Sequence, residues 1–303
     1  MDVISEKSVF YKSNVQLFFF EFLGTFLITI IINFSGYNCI IVCGGLLMCS
    51  VVTGRRTGAH LNFGVTLAIY LVDWHKNKIN KKDLCNYFFS SIAGCLAAYI
   101  FTYFMDPKKI VWIVPIKFDS DPMFIFACET FFTTLFLIVV LHNRDQQLCI
   151  INDQVIGALS TMISLYFCVQ CIGPITSAAL GPTLPFVNIL FTGYLYNTAF
   201  YLKFLPAYIS SGLLSSALAA LFTRFSIKYA SQKSSDEILG GNENSSYQTD
   251  LFAFENNQDY YKERIPFRQI HSLNYLLPSY GALEVERDYE NISSKHGKYV
   301  QFC

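Results

Sequence analysis

Charge is what this sequence has least of. Only 15% of its residues are Asp, Glu, Lys or Arg, against about 25% in an average soluble domain, while 53% are hydrophobic. The 22 basic and 22 acidic residues cancel, which removes the electrostatic footprint of a nucleic-acid binder. No His/Cys/Asp/Glu cluster has metal-ligand spacing, and no serine or cysteine nucleophile stands beside a histidine within a motif. Both absences weigh against a metal transporter or a membrane enzyme, and no metal or cofactor is expected. The ten cysteines are scattered. Cys43, Cys49, Cys95, Cys128 and Cys168 fall in apolar stretches, where thiols act as small hydrophobes. Cys168-Val-Gln-Cys171 lacks the partner pair or thioredoxin-like context that a zinc or redox reading needs. No A-x-A-like cleavage site follows the first apolar run, which exceeds the roughly 7–15-residue core of a signal peptide and carries Glu21.

What is abundant is long uncharged stretches. Val15–Asn33 holds only Glu21, and Met123–Leu141 holds only Glu129. Tyr37–Thr53, Leu84–Met105, Gln154–Gly173 and Phe204–Thr223 hold no charge at all. Each is close to the ~20 residues that cross a bilayer as a helix, so six spans are expected. With the N-terminus inside, cytoplasmic segments carry Lys7, Lys12, Arg55, Arg56, Lys76, Lys78, Lys81, Lys82, Arg144, Arg224 and Lys228. The other side carries Lys108, Lys109, Lys117 and Lys203. That excess of basic residues places both termini in the cytoplasm. Residues 1–14 are then a cytoplasmic N-terminus, 15–225 the membrane domain, and 226–303 a polar, Gly/Ser/Asn-rich, largely disordered cytoplasmic tail. Tyr289-Glu-Asn-Ile292 in that tail has the form of a tyrosine-based sorting signal.

The two halves of the membrane domain repeat each other. "EFLGTFLITII" from Glu21 and "ETFFTTLFLIVV" from Glu129 each place a lone glutamate early in a span, with Thr25 and Thr133 four residues on. The second and fifth spans are followed by "TGAHLNFGVTL" from Thr57 and "TSAALGPTLPF" from Thr176. These segments align Thr57 with Thr176, Ala59 with Ala178, Leu61 with Leu180 and Asn62 with Gly181. Three spans per half is odd, so the halves must be inverted with respect to the membrane. The apolar stretch Asn62–Leu71 is too short to cross, and Lys76 follows on the same side as Arg55 and Arg56, so the chain must enter and return. A half-helix capped by Asn62 satisfies that demand, and Gly181–Phe191 is its counterpart from the opposite face.

On these segments the chain resembles the aquaporin (major intrinsic protein) family over roughly residues 15–225. "GAHLNFGVTLA" resembles the family's G-A-H-x-N-P-A-V-T-L segment, with Phe63-Gly64 in place of Pro-Ala. "TSAALGPTLPF" resembles T-G-x-x-x-N-P-A-R-S-F, with Gly181-Pro182-Thr183 in place of Asn-Pro-Ala. The resemblance implies an all-α membrane protein with six transmembrane helices and two re-entrant half-helices in an inverted 3+3 repeat. It implies a half-helix junction at Asn62, Phe63, Gly64, Gly181, Pro182 and Thr183. It implies a selectivity filter at Val42, Val169, Ala178 and Leu184, the last replacing the family's arginine. All four filter positions are apolar. Glu21 and Glu129 are implied to be structural, accepting hydrogen bonds from the re-entrant loops. His60 is expected to be a packing residue at the base of the first loop, Arg55 and Arg56 to meet lipid headgroups, and Phe63 to press on the junction.

The function expected is a passive channel for water or small neutral solutes of the glycerol, urea or ammonia type. A homotetramer follows from family analogy alone. The alternative is a non-conducting membrane scaffold or adhesion protein that works through its tail, favoured by the loss of one asparagine, one proline and the arginine. Expected partners are membrane lipids, other copies of the chain and sorting or scaffold proteins. Either a plasma membrane or an internal vacuolar membrane is compatible with this reading.

Overall fold

The computed structural model describes residues 14–74, 79–115, 121–150 and 153–239. Lys7, Lys12, Lys76, Lys78, Lys117, the tail beyond 239 and its Tyr289–Ile292 motif lie outside the described residues. Among the described residues six helices are long and apolar enough to cross a membrane. They are α1 (Asn14–Phe34), α2 (Cys39–Thr57), α4 (Lys81–Met105), α5 (Pro122–Arg144), α6 (Gln154–Thr176) and α8 (Leu205–Leu239). Two shorter apolar helices, α3 (Phe63–Val72) and α7 (Thr183–Leu195), sit third in each group of four. The order is long, long, short, long, twice over, as the inverted repeat requires. The features below lie in the compact unit that extends to Ser235.

Local chemistry sets where the helices begin. The side chain of Asn38 accepts from the Ile41 amide, and that of Asn80 from the Asp83 amide. Asp121 accepts from Met123 ahead of a helix with proline in its first turn. Asp153 accepts from both Val155 and Ile156. Each cap gives a partner to an amide that the helix itself leaves unpaired. α2 ends at Gly58, whose φ of 91° is the left-handed stop that glycine tolerates.

The two short helices begin differently. Asn62 caps α3 in the expected way, with its Oδ1 accepting from the Gly64 amide at 3.0 Å. α7 starts at Thr183, two residues after the expected Gly181, and its preceding residue Pro182 makes no side-chain cap bond. Gly181 has a φ of 147°, outside any helix, so the chain turns before α7 can wind.

In each half the first two long helices pack together, α1 on α2 and α5 on α6. α1 also packs along α4, and α2 along α6 across the repeat. Each short helix crosses over: α3 lies against α5, and α7 against α4. Close approach of α1 and α4 depends on Gly94, where a Cβ would run into the Phe22 carbonyl and crowd the Phe26 amide. Small residues at helix crossings let backbones approach where no hydrophobic effect drives them together. The outward faces are apolar too, with Phe104, Phe131, Phe167 and Leu221 all exposed. Helices apolar on every side are stable in lipid rather than water.

Gly94→Val should lower stability by about 1–3 kcal/mol, because the obstacle is backbone and cannot swing aside. Gly44→Ala, with nothing near its Cβ direction, is the control and should be neutral or slightly stabilising. Thermal unfolding of the two variants in one detergent measures the difference. Equal melting temperatures would show that α1 and α4 do not meet at Gly94.

Candidate functional site

The site begins with two carboxyl groups in the apolar interior. Glu21 on α1 and Glu129 on α5 are each about 1% exposed. Glu21 accepts from the His60 amide at 3.1 Å through Oε1 and from the Leu61 amide at 2.8 Å through Oε2. Glu129 does the same from the other half, accepting from Ala179 at 3.0 Å and Leu180 at 3.1 Å. The Thr176 hydroxyl also donates to Glu129 Oε1. These amides converge because both loops carry unusual backbone angles. Ala59 and Leu61 have φ of 49° and 53°, and Ala178 and Leu180 have 43° and 47°. Non-glycine residues in the left-handed region cost roughly 1–2 kcal/mol each. Charge-assisted bonds to a buried carboxylate offset that strain.

Between the loops the two half-helices meet, and there the halves stop being alike. The Asn62 Nδ2 donates to the Leu180 carbonyl at 3.0 Å, across the repeat. The Thr183 Oγ1 accepts from the Phe63 amide at 2.9 Å and lies 3.5 Å from Asn62 Oδ1. The hydroxyl at the start of α7 therefore caps α3. Gly181 completes the exchange: a Cβ there would fall on the Asn62 side-chain amide. The first asparagine occupies the room that a second would need. Gly64 faces Pro182 across the contact, and Gly212 and Ser216 of α8 close it from behind, the Ser216 hydroxyl donating to the Gly64 carbonyl at 2.9 Å. The Phe63 ring turns outward to pack edge-on against Phe88 of α4, with ring centres 4.9 Å apart.

A cavity of about 110 Å³ runs beside this junction. One water needs roughly 10–15 Å³ of such space, so several fit. Its walls bring together Val42, Val169, Ala178 and Leu184, the four positions expected to form a filter, with Asn62 and Thr183. Phe63, Gly64, Gly181 and Pro182 are not among its lining residues. His60 lines it at the base of the first loop, stacked on Tyr87 at 4.2 Å with its Nδ1 3.0 Å from the Thr66 hydroxyl. Arg55 and Arg56 lie exposed in the last turn of α2, away from the cavity. Cys168 is buried and Cys171 exposed, and neither is in a disulfide. Among the described residues no group of three or more His, Cys, Asp or Glu could hold a metal ion.

Sequence reasoning passed over three residues. Asn33 and Asn188 are fully buried amides that pin the segment after α4. Asn33 accepts from the Val111 amide at 3.2 Å and donates to Thr102. Asn188 accepts from Ile113 at 2.7 Å and donates to Val111 and Tyr99. A lone amide inside an apolar run was the available signal for both. Tyr37, in the turn between α1 and α2, also lines the cavity, and nothing in its local sequence marks it.

No family model matches the chain, and no curated protein matches it. Among solved structures it is similar to the X-ray structure of the aquaglyceroporin from Plasmodium falciparum. The TM-score is 0.61 and the identity 18%, over 73% of this chain and 100% of that one. The chain has the aquaporin-type fold: six membrane-length helices and two half-helices in an inverted repeat.

Glu21→Ala and Glu129→Ala should each destabilise the protein by about 1–3 kcal/mol per loop amide left unpaired, read as a fall in melting temperature in detergent. Wild-type stability in either variant would show that its loop is held some other way. Gly181→Ala should also destabilise, because its Cβ displaces Asn62, and Asn62→Ala in the same chain should recover part of that loss. A double-mutant cycle is expected to give a coupling of about 0.5–3 kcal/mol. Additive costs would mean that the two residues do not share the space.

Proposed function

We propose that the chain is a passive channel for small neutral solutes, with the cavity beside Asn62 as its pore. The observation that carries this reading is that one cavity gathers the four expected filter positions with Asn62 and Thr183 of the half-helix junction. The two half-helices direct their N-termini, the positive ends of their dipoles, at that junction. Such an arrangement opposes cations and protons and leaves neutral molecules as cargo. Asn62 spends one amide hydrogen on Leu180, and its second N–H is the donor for a passing hydroxyl or water. Val42, Val169 and Leu184 offer no hydrogen bonds, so at that level size and desolvation discriminate more than polar recognition. Solutes of the glycerol, urea or ammonia class fit a wall of this kind better than a strictly water-selective pore does. The likeness to an aquaglyceroporin supports the same class.

Multi-pass membrane insertion with both termini in the cytoplasm follows from the Lys/Arg distribution, so α7 enters from the extracytoplasmic side. In this reading the protein has no catalytic role, assembles as a homotetramer with one pore per protomer, and offers its tail to sorting or scaffold proteins. A second reading, a non-conducting scaffold, draws on the exchange at the junction, which leaves Gly181 without a side chain to offer a solute.

Stopped-flow swelling of proteoliposomes with glycerol, urea and water separates these readings. Rates above those of empty vesicles are expected for at least one solute, and rates equal to empty vesicles for all of them favour the scaffold. Leu184→Arg should lower the ratio of glycerol to water permeability, because a guanidinium facing the cavity narrows it and offers donors to water. An unchanged ratio in a folded, inserted variant would remove Leu184 from the pore wall.

A further inference from the structure

The turn between α1 and α2 places an aromatic residue over the filter. Tyr37 lines the same cavity as Val42, Val169 and Leu184, and its hydroxyl donates to the Ala178 carbonyl at 2.7 Å. It reaches there from the opposite half of the repeat, 141 residues away in sequence. Its ring packs against two separate clusters of the core, one around Val169 and one around Phe204. The backbone is fitted to this task. Tyr37 has a φ of 65° in the left-handed region, uncommon for a bulky residue. The turn is locked by bonds from the Tyr37 amide to Ile32 at 3.0 Å, from Gly36 to Asn33 at 3.2 Å and from Asn38 to Ser35 at 3.3 Å.

We propose that Tyr37 is the specificity-determining residue of the constriction: its hydroxyl holds the Ala178 carbonyl, and a solute must displace it to pass. Around that carbonyl the side chains of Val42, Val169 and Leu184 are hydrocarbon. The phenol therefore supplies the donor that Leu184 cannot. A solute hydroxyl entering this level either takes over the Ala178 acceptor or bonds to the phenol oxygen, which can accept as well as donate. The ring sets the width, and the hydroxyl sets the cost of polar passage. This inference rests on the channel reading for its meaning in transport, though the closure itself is testable without flux.

The experiment uses the full chain in proteoliposomes, with glycerol, erythritol and water as probes and Tyr37→Phe and Tyr37→Ala as variants. Tyr37→Phe keeps the ring and frees the Ala178 carbonyl, so glycerol flux should rise roughly fivefold, the worth of one hydrogen bond. Tyr37→Ala should admit erythritol that the parent holds back. If the parent conducts and both variants match it for every probe, Tyr37 is not the determinant, and the channel reading stands. If parent and variants all equal empty vesicles, the channel reading falls, and a labelling measurement decides the closure. Ala178→Cys, scored against the parent's native thiols, should resist a small impermeant methanethiosulfonate while Tyr37 is present. It should react at least tenfold faster when combined with Tyr37→Ala. Equal labelling in the two backgrounds overturns the proposal.

Discussion

Backbone amides that leave a helix inside a membrane have no water to turn to, and each unpaired group costs several kcal/mol. The two re-entrant loops exist because Glu21 and Glu129 each accept two of those amides. The same bonds fix the left-handed residues on either side of them, which would otherwise relax to ordinary angles. From that follows the direction of α3 and α7, and from their direction the meeting of their N-termini. The cavity is the space left when two half-helices that cannot cross are held end to end by carboxyl groups on neighbouring spans.

The inverted repeat supplies symmetry down to the carboxyl–loop bonds and loses it at the junction. α3 has its own cap in Asn62 and borrows a second in Thr183. α7 begins after a proline with no side-chain cap at all. The amide of Asn62 reaches Leu180 in return, so each loop leans on a side chain of the other half. Such mutual support suits an interior where a polar group without a partner is expensive. It also ties the position of the Ala178 carbonyl to both halves, since Tyr37 arrives from one and the loop from the other.

Much of this was legible in the residues, for identifiable reasons. Charge-free runs of membrane length announce themselves, while the caps at Asn38, Asn80, Asp121 and Asp153 that bound four of the helices come from the structure. Glu21 and Glu129 stood out because a charge in such a run needs a purpose, and the resemblance to the aquaporin family implied the loop amides as their donors. The four positions expected to form a filter line one cavity. The junction was not legible at the level of side-chain placement. Phe63 reads as a pore obstruction until its ring is found on Phe88, and a χ angle leaves no mark on sequence. Tyr37 was hidden for a related reason: its partner is a backbone carbonyl in the other half, and carbonyls carry no residue identity.

Gly181 and Asn62 share one volume, and this bears on how such a junction can change by single steps. A chain that first acquired an asparagine at 181 would have two side chains contending for the same space. One that first lost Asn62 would open an unlined gap beside a glycine whose φ of 147° fits no helix. Each single change therefore carries a cost that a change at the other position can relieve, a coupling rooted in excluded volume. The Gly-Pro-Thr segment is therefore half of a matched pair with Asn62. Grafting an asparagine onto the second loop alone carries that cost with nothing at position 62 to relieve it.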